Sequence, residues 1–187
     1  MWTLDIESKE LHQLTDSEIH NETGPSWSPD GKFIAFFSNR TDQPDLNPGK
    51  TDLFLYDLDK KSSRKIETSE GYKFHAKFSA NGEKIAYLGQ EGLKKDYKNT
   101  ELFVVDLQDG APAKSLTADH DFDVGGGVIN DTGSVTNTSP LWSADGNALY
   151  FQIGRHGRTS LHKITVVGGG LETVLEFDGV VSDFSLD

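Results

Sequence analysis

Cysteine is absent from the 187 residues, so neither a disulfide framework nor a thiolate metal site can hold this chain together. Positive charge is scarce as well: 18 Lys and Arg stand against 30 Asp and Glu, a formal net charge of −12. That balance repels the phosphates of nucleic acid and anionic membrane surfaces. Lys60-Lys61 and Lys94-Lys95 are isolated pairs embedded in acid, not a basic stripe. No apolar run approaches the roughly 20 residues of a membrane-spanning helix. The opening Met1-Trp2-Thr3-Leu4-Asp5-Ile6-Glu7 has neither the basic start nor the apolar stretch of a signal peptide. Together with the lack of cysteine, this leads us to expect a cytoplasmic protein. Helical periodicity sustained over about ten residues is missing too. The six histidines (His12, His20, His75, His120, His156 and His162) show no metal-ligand spacing, so no cofactor is expected.

What is present is enough for one domain with a sizeable core: 35% of the residues are hydrophobic and 10% aromatic, which excludes a disordered chain. The main signal is a repeat. Ser26-Trp27-Ser28-Pro29-Asp30-Gly31 leads into Phe33-Ile34-Ala35-Phe36-Phe37. Lys77-Phe78-Ser79-Ala80-Asn81-Gly82 leads into Lys84-Ile85-Ala86-Tyr87-Leu88, and Leu141-Trp142-Ser143-Ala144-Asp145-Gly146 into Ala148-Leu149-Tyr150-Phe151. The glycines lie 51 and 64 residues apart, spacings that point to solenoids or propellers. Each unit reads as a hairpin, because Asp-Gly or Asn-Gly supplies the turn and short β-branched or aromatic runs flank it. A third strand follows in each unit, beginning at Asp52, Glu101 and Ser160. A fourth follows near Arg64, Lys114 and Glu172.

Four strands per repeat joined by tight turns make a propeller blade. The expected fold class is therefore all-β: a partial β-propeller with three complete four-stranded antiparallel blades over 23–67, 72–117 and 136–175. Residues 1–15 match the end of a preceding blade, and residues 180–187 the first strand of a further one. A propeller usually has about four to eight blades, so the single domain over 1–187 reads as a fragment of a larger ring. Trp27, Phe78 and Trp142 hold the same repeat position and are expected to pack in the core.

The Ser26–Phe36 segment resembles the blade motif shared by TolB-like propellers and prolyl oligopeptidase-family serine peptidases. Phe36-Phe37-Ser38-Asn39-Arg40-Thr41-Asp42-Gln43-Pro44-Asp45 followed by Asp52-Leu53-Phe54 resembles the second-to-third strand passage of acylaminoacyl-peptidases and bacterial dipeptidyl-peptidase-like enzymes. Asn99-Thr100-Glu101-Leu102-Phe103, Pro140-Leu141-Trp142-Ser143 and Gly179-Val180-Val181-Ser182-Asp183-Phe184 continue the similarity in order. The resemblance implies a propeller that caps a C-terminal α/β-hydrolase domain and admits short or acylated peptides. That domain's Gly-x-Ser-x-Gly elbow occurs nowhere in this chain, so no catalytic residue is assigned. The alternative is a non-catalytic TolB-like scaffold that binds protein.

In an up-and-down blade, the loops from strand two to strand three share a face with the connections between blades. The long segments 38–51, 89–100 and 118–139 are of these types, and long loops on one face are where binding resides. Arg40, Asp42, Asp119, Asp121 and Asp123 are the candidate chamber residues there, with 118–139 read as an insertion between blades. Asp119-His120-Asp121-Phe122-Asp123 has the alternating carboxylates of a calcium loop. It lacks the glycine at position six, where Val124 stands, and the glutamate at position twelve, where Asn130 stands. A solvated acidic loop is expected. Gly125-Gly126-Gly127 and Gly168-Gly169-Gly170 open no helix that could hold a phosphate. Arg155-His156-Gly157-Arg158 reads as a solvated basic hairpin tip.

Overall fold

The computed structural model describes residues 1–93, 97–108, 110, 112–126, 129–130, 133–134 and 138–186, with backbone alone at 129–130 and 133–134. Lys94, Lys95, Gly127 and the side chain of Asn130 therefore lie outside the described residues. Seventeen strands run in order: β1 Trp2–Leu4, β2 Leu11–Gln13, β3 Glu22–Trp27, β4 Phe33–Ser38, β5 Asp52–Asp57, β6 Ser62–Lys65, β7 Lys73–Phe78, β8 Lys84–Gly89, β9 Glu101–Asp106, β10 Lys114–Ser115, β11 Asp123–Val124, β12 Ile129–Asn130, β13 Gly133–Ser134, β14 Leu141–Trp142, β15 Ala148–Arg155, β16 Arg158–Thr165 and β17 Leu171–Leu175. A 3-10 turn, Pro44–Leu46, interrupts the β4–β5 loop. The fold is all-β, and three antiparallel blades stand side by side.

Blade one is β3-β4-β5-β6 and blade two is β7-β8-β9-β10, each in sequence order across its sheet. Their central strands are buried on both faces, which explains the unbroken apolar run over residues 33–37 where alternation would mark a half-exposed sheet. Ala35, Phe37, Leu53 and Leu55 of blade one pack against Ala76, Ile85, Tyr87, Phe103 and Val105 of blade two. On its other side blade two presents Ala86, Leu88, Leu102 and Val104 to Leu149, Phe151, Ile153 and Ile164 of blade three. The outer face of blade one, with Ile34, Phe36, Phe54 and Tyr56, is covered by Met1 and Leu14 from the β1–β2 segment.

The repeated turn has one construction at all three places. The hydroxyl of Ser28, Ser79 or Ser143 donates to the side-chain oxygen of Asp30, Asn81 or Asp145, at 2.6, 2.7 and 2.5 Å. The same hydroxyl accepts the N–H of Phe33, Lys84 or Ala148. The glycine that follows, Gly31, Gly82 or Gly146, sits at φ 70°, 73° or 69°, where a side chain is strained. The hydroxyl of Ser143 and the N–H and amide of Asn147 hold the Asp145 carboxyl down at about 2.

Blade three departs from the expectation. Its inner strand is in two pieces: β14 pairs with Tyr150 and Leu149 of β15, and β11 pairs with Gly154 and Ile153 further along the same strand. In blades one and two the inner strand carries a bulge at this point, between Thr23 and Ser26 and between Phe74 and Lys77. In blade three the pairs on either side of this point, Val124 with Ile153 and Leu141 with Tyr150, come from strand pieces far apart in sequence. The segment 118–139 is thus not simply an insertion between blades. Its first part is the connector, and β11 within it is a piece of the inner strand of blade three; a bulge already leaves residues unpaired, so a strand can be divided there without breaking the ladder.

Two other expectations change. Trp27 is 53% exposed. The equivalent Trp142 packs against blade two and donates its indole N–H to Lys77 O at 3.0 Å. β1 and β2 pair with each other and cover the outer face of blade one through Met1 and Leu14 rather than Trp27. At the other end residues 180–186 build no ladder. Val180 makes one parallel bridge with Thr159, and the carbonyl of Val181 accepts Gln152 Nε2 at 2.6 Å.

Candidate functional site

The strand directions bring the strand-two-to-three loops and the inter-blade connectors to one face, and specific bonds tie them there. Lys50, at the end of the β4–β5 loop, makes a parallel bridge with Gly71, just ahead of β7. Val124 N–H donates to Thr100 O at 2.9 Å at the next junction, and Thr159 N–H to Gly179 O at 3.2 Å at the third. In each case the start of strand three in one blade meets the segment entering the following blade. Thr51, Thr100 and Thr159 hold equivalent places.

Thr100 and Thr159 are buried at their junctions, and Lys73 is buried beside the first. Lys73 is 6% exposed and donates to Thr51 O at 2.7 Å and Gly71 O at 3.0 Å. Burial lowers its pKa to about 8; Asp52 and Glu70 favour its charge and Lys65 opposes it. The unfolded chain keeps that proton up to about 10.5. Between those values the unfolded state binds more protons, so stability rises with pH through the window. Relative to Lys73→Met, the wild-type protein should gain about 2 kcal/mol between pH 7 and pH 10.5, allowing for residual hydration of the ammonium. Denaturant titrations at several pH values read this directly. Parallel curves for the two proteins would show that the lysine is hydrated in solution.

The residues singled out in the sequence do not form one cluster. Arg40 lies over the Phe54 ring at 4.8 Å and pairs with Glu22 at 3.3 Å, which places it in the packing of blade one. Asp123 accepts Thr100 N–H at 2.6 Å and locks blade three to blade two. Asp121, exposed, accepts from Asn99 Nδ2 at 3.3 Å. Asp42 and Asp119 are exposed at the loop surface. Asp121 and Asp123 are therefore both bonded to the β8–β9 loop. Among the described residues no group of three or more His, Asp or Glu side chains is placed to hold a metal ion.

Two cavities on this face escaped the sequence. One, of about 330 Å³, is lined by Leu46, Pro48, Gly49, Tyr72 and Leu93. Asn39 shapes its rim by donating to Asn47 O at 2.6 Å while its own oxygen accepts Thr41 N–H. Leu46 is 74% exposed there. The second, of about 140 Å³, is polar and lies beside it, with Arg40, Lys50, Asp52, Lys65 and Glu70 on its walls. The long loop over residues 39–49 offered a signal in its Pro44 and Pro48, but its apolar partners Tyr72 and Leu93 belong to the next blade.

No protein-family model matches the chain. A curated relative, Dipeptidyl-peptidase 5 of Porphyromonas gingivalis, is 30% identical over 165 residues, covering 86% of this chain and 22% of the relative. The chain spans less than half the length of the curated relatives it matches. Among solved structures, TolB from Acinetobacter baumannii superposes with a TM-score of 0.67 at 21% identity, over 95% of this chain and 37% of TolB. Puromycin hydrolase superposes with a TM-score of 0.63 at 15% identity, over 90% of this chain and 26% of that enzyme. These two structural likenesses show a shared fold. No helix among the described residues is long and apolar enough to cross a membrane.

Proposed function

Because the chain is a TolB-like propeller segment akin to those of prolyl oligopeptidase-family peptidases, we propose that it forms the substrate-access part of a serine peptidase. Its partner would be a C-terminal α/β-hydrolase domain of the parent protein, and its substrates short or acylated peptides. The observation that carries this reading is the gathering of the long loops and inter-blade connectors on one face. An apolar cavity and, apart from it, exposed carboxylates are carried by these loops and connectors. An apolar wall takes a peptide side chain, and Asp42, Asp119 and Asp121 favour a cationic amino terminus through the field of a chain with net charge −12. Rigid blades under such loops narrow the route to an active site and exclude folded chains.

The chain alone has no elbow serine and hence no activated nucleophile, so it should not turn over aminoacyl chromogenic substrates. The reading frame followed past Asp187 should encode a Gly-x-Ser-x-Gly elbow. In that longer protein, shortening the loop over residues 41–48 should raise kcat/KM for long peptides and leave dipeptide substrates unchanged. Equal handling of long and short peptides by both forms would remove the access role. A frame without the elbow would favour the TolB-like scaffold.

A further inference from the structure

The β15–β16 hairpin closes through His156 and Gly157, at φ 50° and 75°, the backbone of a tight two-residue hairpin turn. That closure sets Arg155 directly opposite Arg158 in the ladder, and like charges facing each other across strands destabilise the pair. Arg158 has a carboxylate partner, Asp178 at 3.1 Å. Arg155 has none among the described residues. In a chain with 30 acidic side chains, Arg155 is thus an exposed arginine at the hairpin tip that can take an anion from elsewhere.

The space beneath them is shaped for one. The two arginines border a cleft of about 490 Å³ that is also lined by Phe122, Ser160, His162, Thr173 and Phe177, a size typical of small-molecule sites at about 300–1,000 Å³. Glu176 is the carboxylate on its wall. Ser160 Oγ lies 2.7 Å from His162 Nε2, and Thr173 Oγ1 lies 3.5 Å from the other ring nitrogen. Burial lowers the His162 pKa, so at neutral pH this imidazole and its two hydroxyls make an uncharged polar floor. His120 stacks on Phe122 at 5.1 Å and backs that aromatic wall. The cleft thus has a cationic rim, a hydrogen-bonding floor that burial keeps neutral against the pull of Glu176, and two phenylalanine walls.

We propose that this cleft binds a small organic carboxylate bearing an apolar group, the chemistry a short peptide presents at its C-terminal residue. The carboxylate meets Arg155 and Arg158, the apolar group lies against Phe122 and Phe177, and the amide bonds to the floor of Ser160, His162 and Thr173. Planar guanidiniums suit a carboxylate because each can donate two parallel N–H bonds to it. Taking the natural ligand as a peptide rests on the peptidase reading above; the recognition chemistry of the cleft does not.

Titration calorimetry of the 187-residue chain with N-acetyl-phenylalanine, its C-terminal amide and inorganic phosphate tests the site. The acid should bind at least about tenfold more tightly than the amide, the difference expected for a charge-assisted hydrogen bond. Arg155→Ala should abolish that preference, Arg155→Lys should keep part of it, and Phe122→Ala should weaken both organic probes. Because Arg155→Ala also relieves the Arg155–Arg158 repulsion, its Tm should stay level or rise. Equal binding of acid and amide, or phosphate binding as tightly as the acid, overturns the proposal. So does an Arg155→Ala protein that melts earlier with unchanged affinity, which would make the arginine structural. All of these readouts come from the chain itself. A failure here leaves the elbow test standing, and a reading frame without an elbow leaves the cleft's carboxylate preference intact.

Discussion

Tyr87→Ala should cost about 3–5 kcal/mol of unfolding free energy, the range for emptying a large aromatic site in a packed core, whereas Tyr87→Phe should cost nothing. Tyr87 is 1% exposed, stacks on Phe103 at 5.1 Å and meets Phe37 of the neighbouring blade edge-on at 6.4 Å. It therefore fills the seam between blades one and two from the blade-two side. Its hydroxyl is buried and finds no hydrogen-bond partner among the described residues, and burial raises its pKa. Exchanging an unpartnered hydroxyl for hydrogen removes a desolvated polar group and leaves the packing unchanged. The expected order in a denaturant titration is Tyr87→Phe equal to or above wild type, with Tyr87→Ala far below both. A loss of about 2 kcal/mol in Tyr87→Phe would mean that the hydroxyl has a partner in solution, since this is what breaking a buried hydrogen bond costs.

The second large effect belongs to the junction beneath the loop face. Gly71 has φ 137°, and a Cβ built on it would stand 1.8 Å from Gln90 O and 3.2 Å from Gly92 N. Neither neighbour is a flexible side chain that could turn aside. Gln90 N–H is already bonded to Tyr72 O and Gly92 N–H to Glu70 O, so moving residues 90–92 breaks the bonds that seat Tyr72 in the apolar cavity. Gly71→Ala should destabilise the protein by about 3 kcal/mol or more, combining backbone strain with a main-chain clash. Gly31→Ala is the matched control: φ is 70°, nothing lies within 4 Å, and about 1–2 kcal/mol of left-handed strain is all that remains. Equal losses in the two variants would show that the Lys50–Gly71 junction yields easily. A Gly71→Ala protein that folds should also have lost the cavity beside Leu46, which a fluorescent apolar probe would report.

What could be read in advance was whatever a short stretch of chain dictates for itself. Ser-Pro-Asp-Gly, Ser-Ala-Asn-Gly and Ser-Ala-Asp-Gly each contain the hydroxyl, the acceptor and the glycine that build the turn. The runs after them have no helical period, so four-stranded sheets followed from local chemistry and repetition. The split inner strand of blade three was not legible, because β11 contributes only Asp123 and Val124 from within an acidic stretch. Two residues carry no periodicity, and their partner on β15 lies about thirty residues away.

The candidate site divides along the same line. The loop lengths and their common face follow from the up-and-down order of strands, which the sequence by itself determined. Which side chains face one another across a junction depends on how neighbouring blades seat, and that only the tertiary structure decided. Arg40 reads as a free loop cation until Phe54 and Glu22 are found around it. Nothing in the sequence marks Lys73, whose ammonium the fold sets between two carbonyls. Trp27 and Trp142 share a sequence position yet differ in burial, because Trp142 seats on blade two and bonds Lys77 O while Trp27 is left 53% exposed. Arg155 and Arg158 flank a plain two-residue turn in the sequence. Folding of β16 and β17 against Phe122 places a cleft beneath them. Turn chemistry and strand propensity act over a few bonds and are written residue by residue, whereas burial, pairing of charges and cavities arise from surfaces that meet only when the blades close on one another.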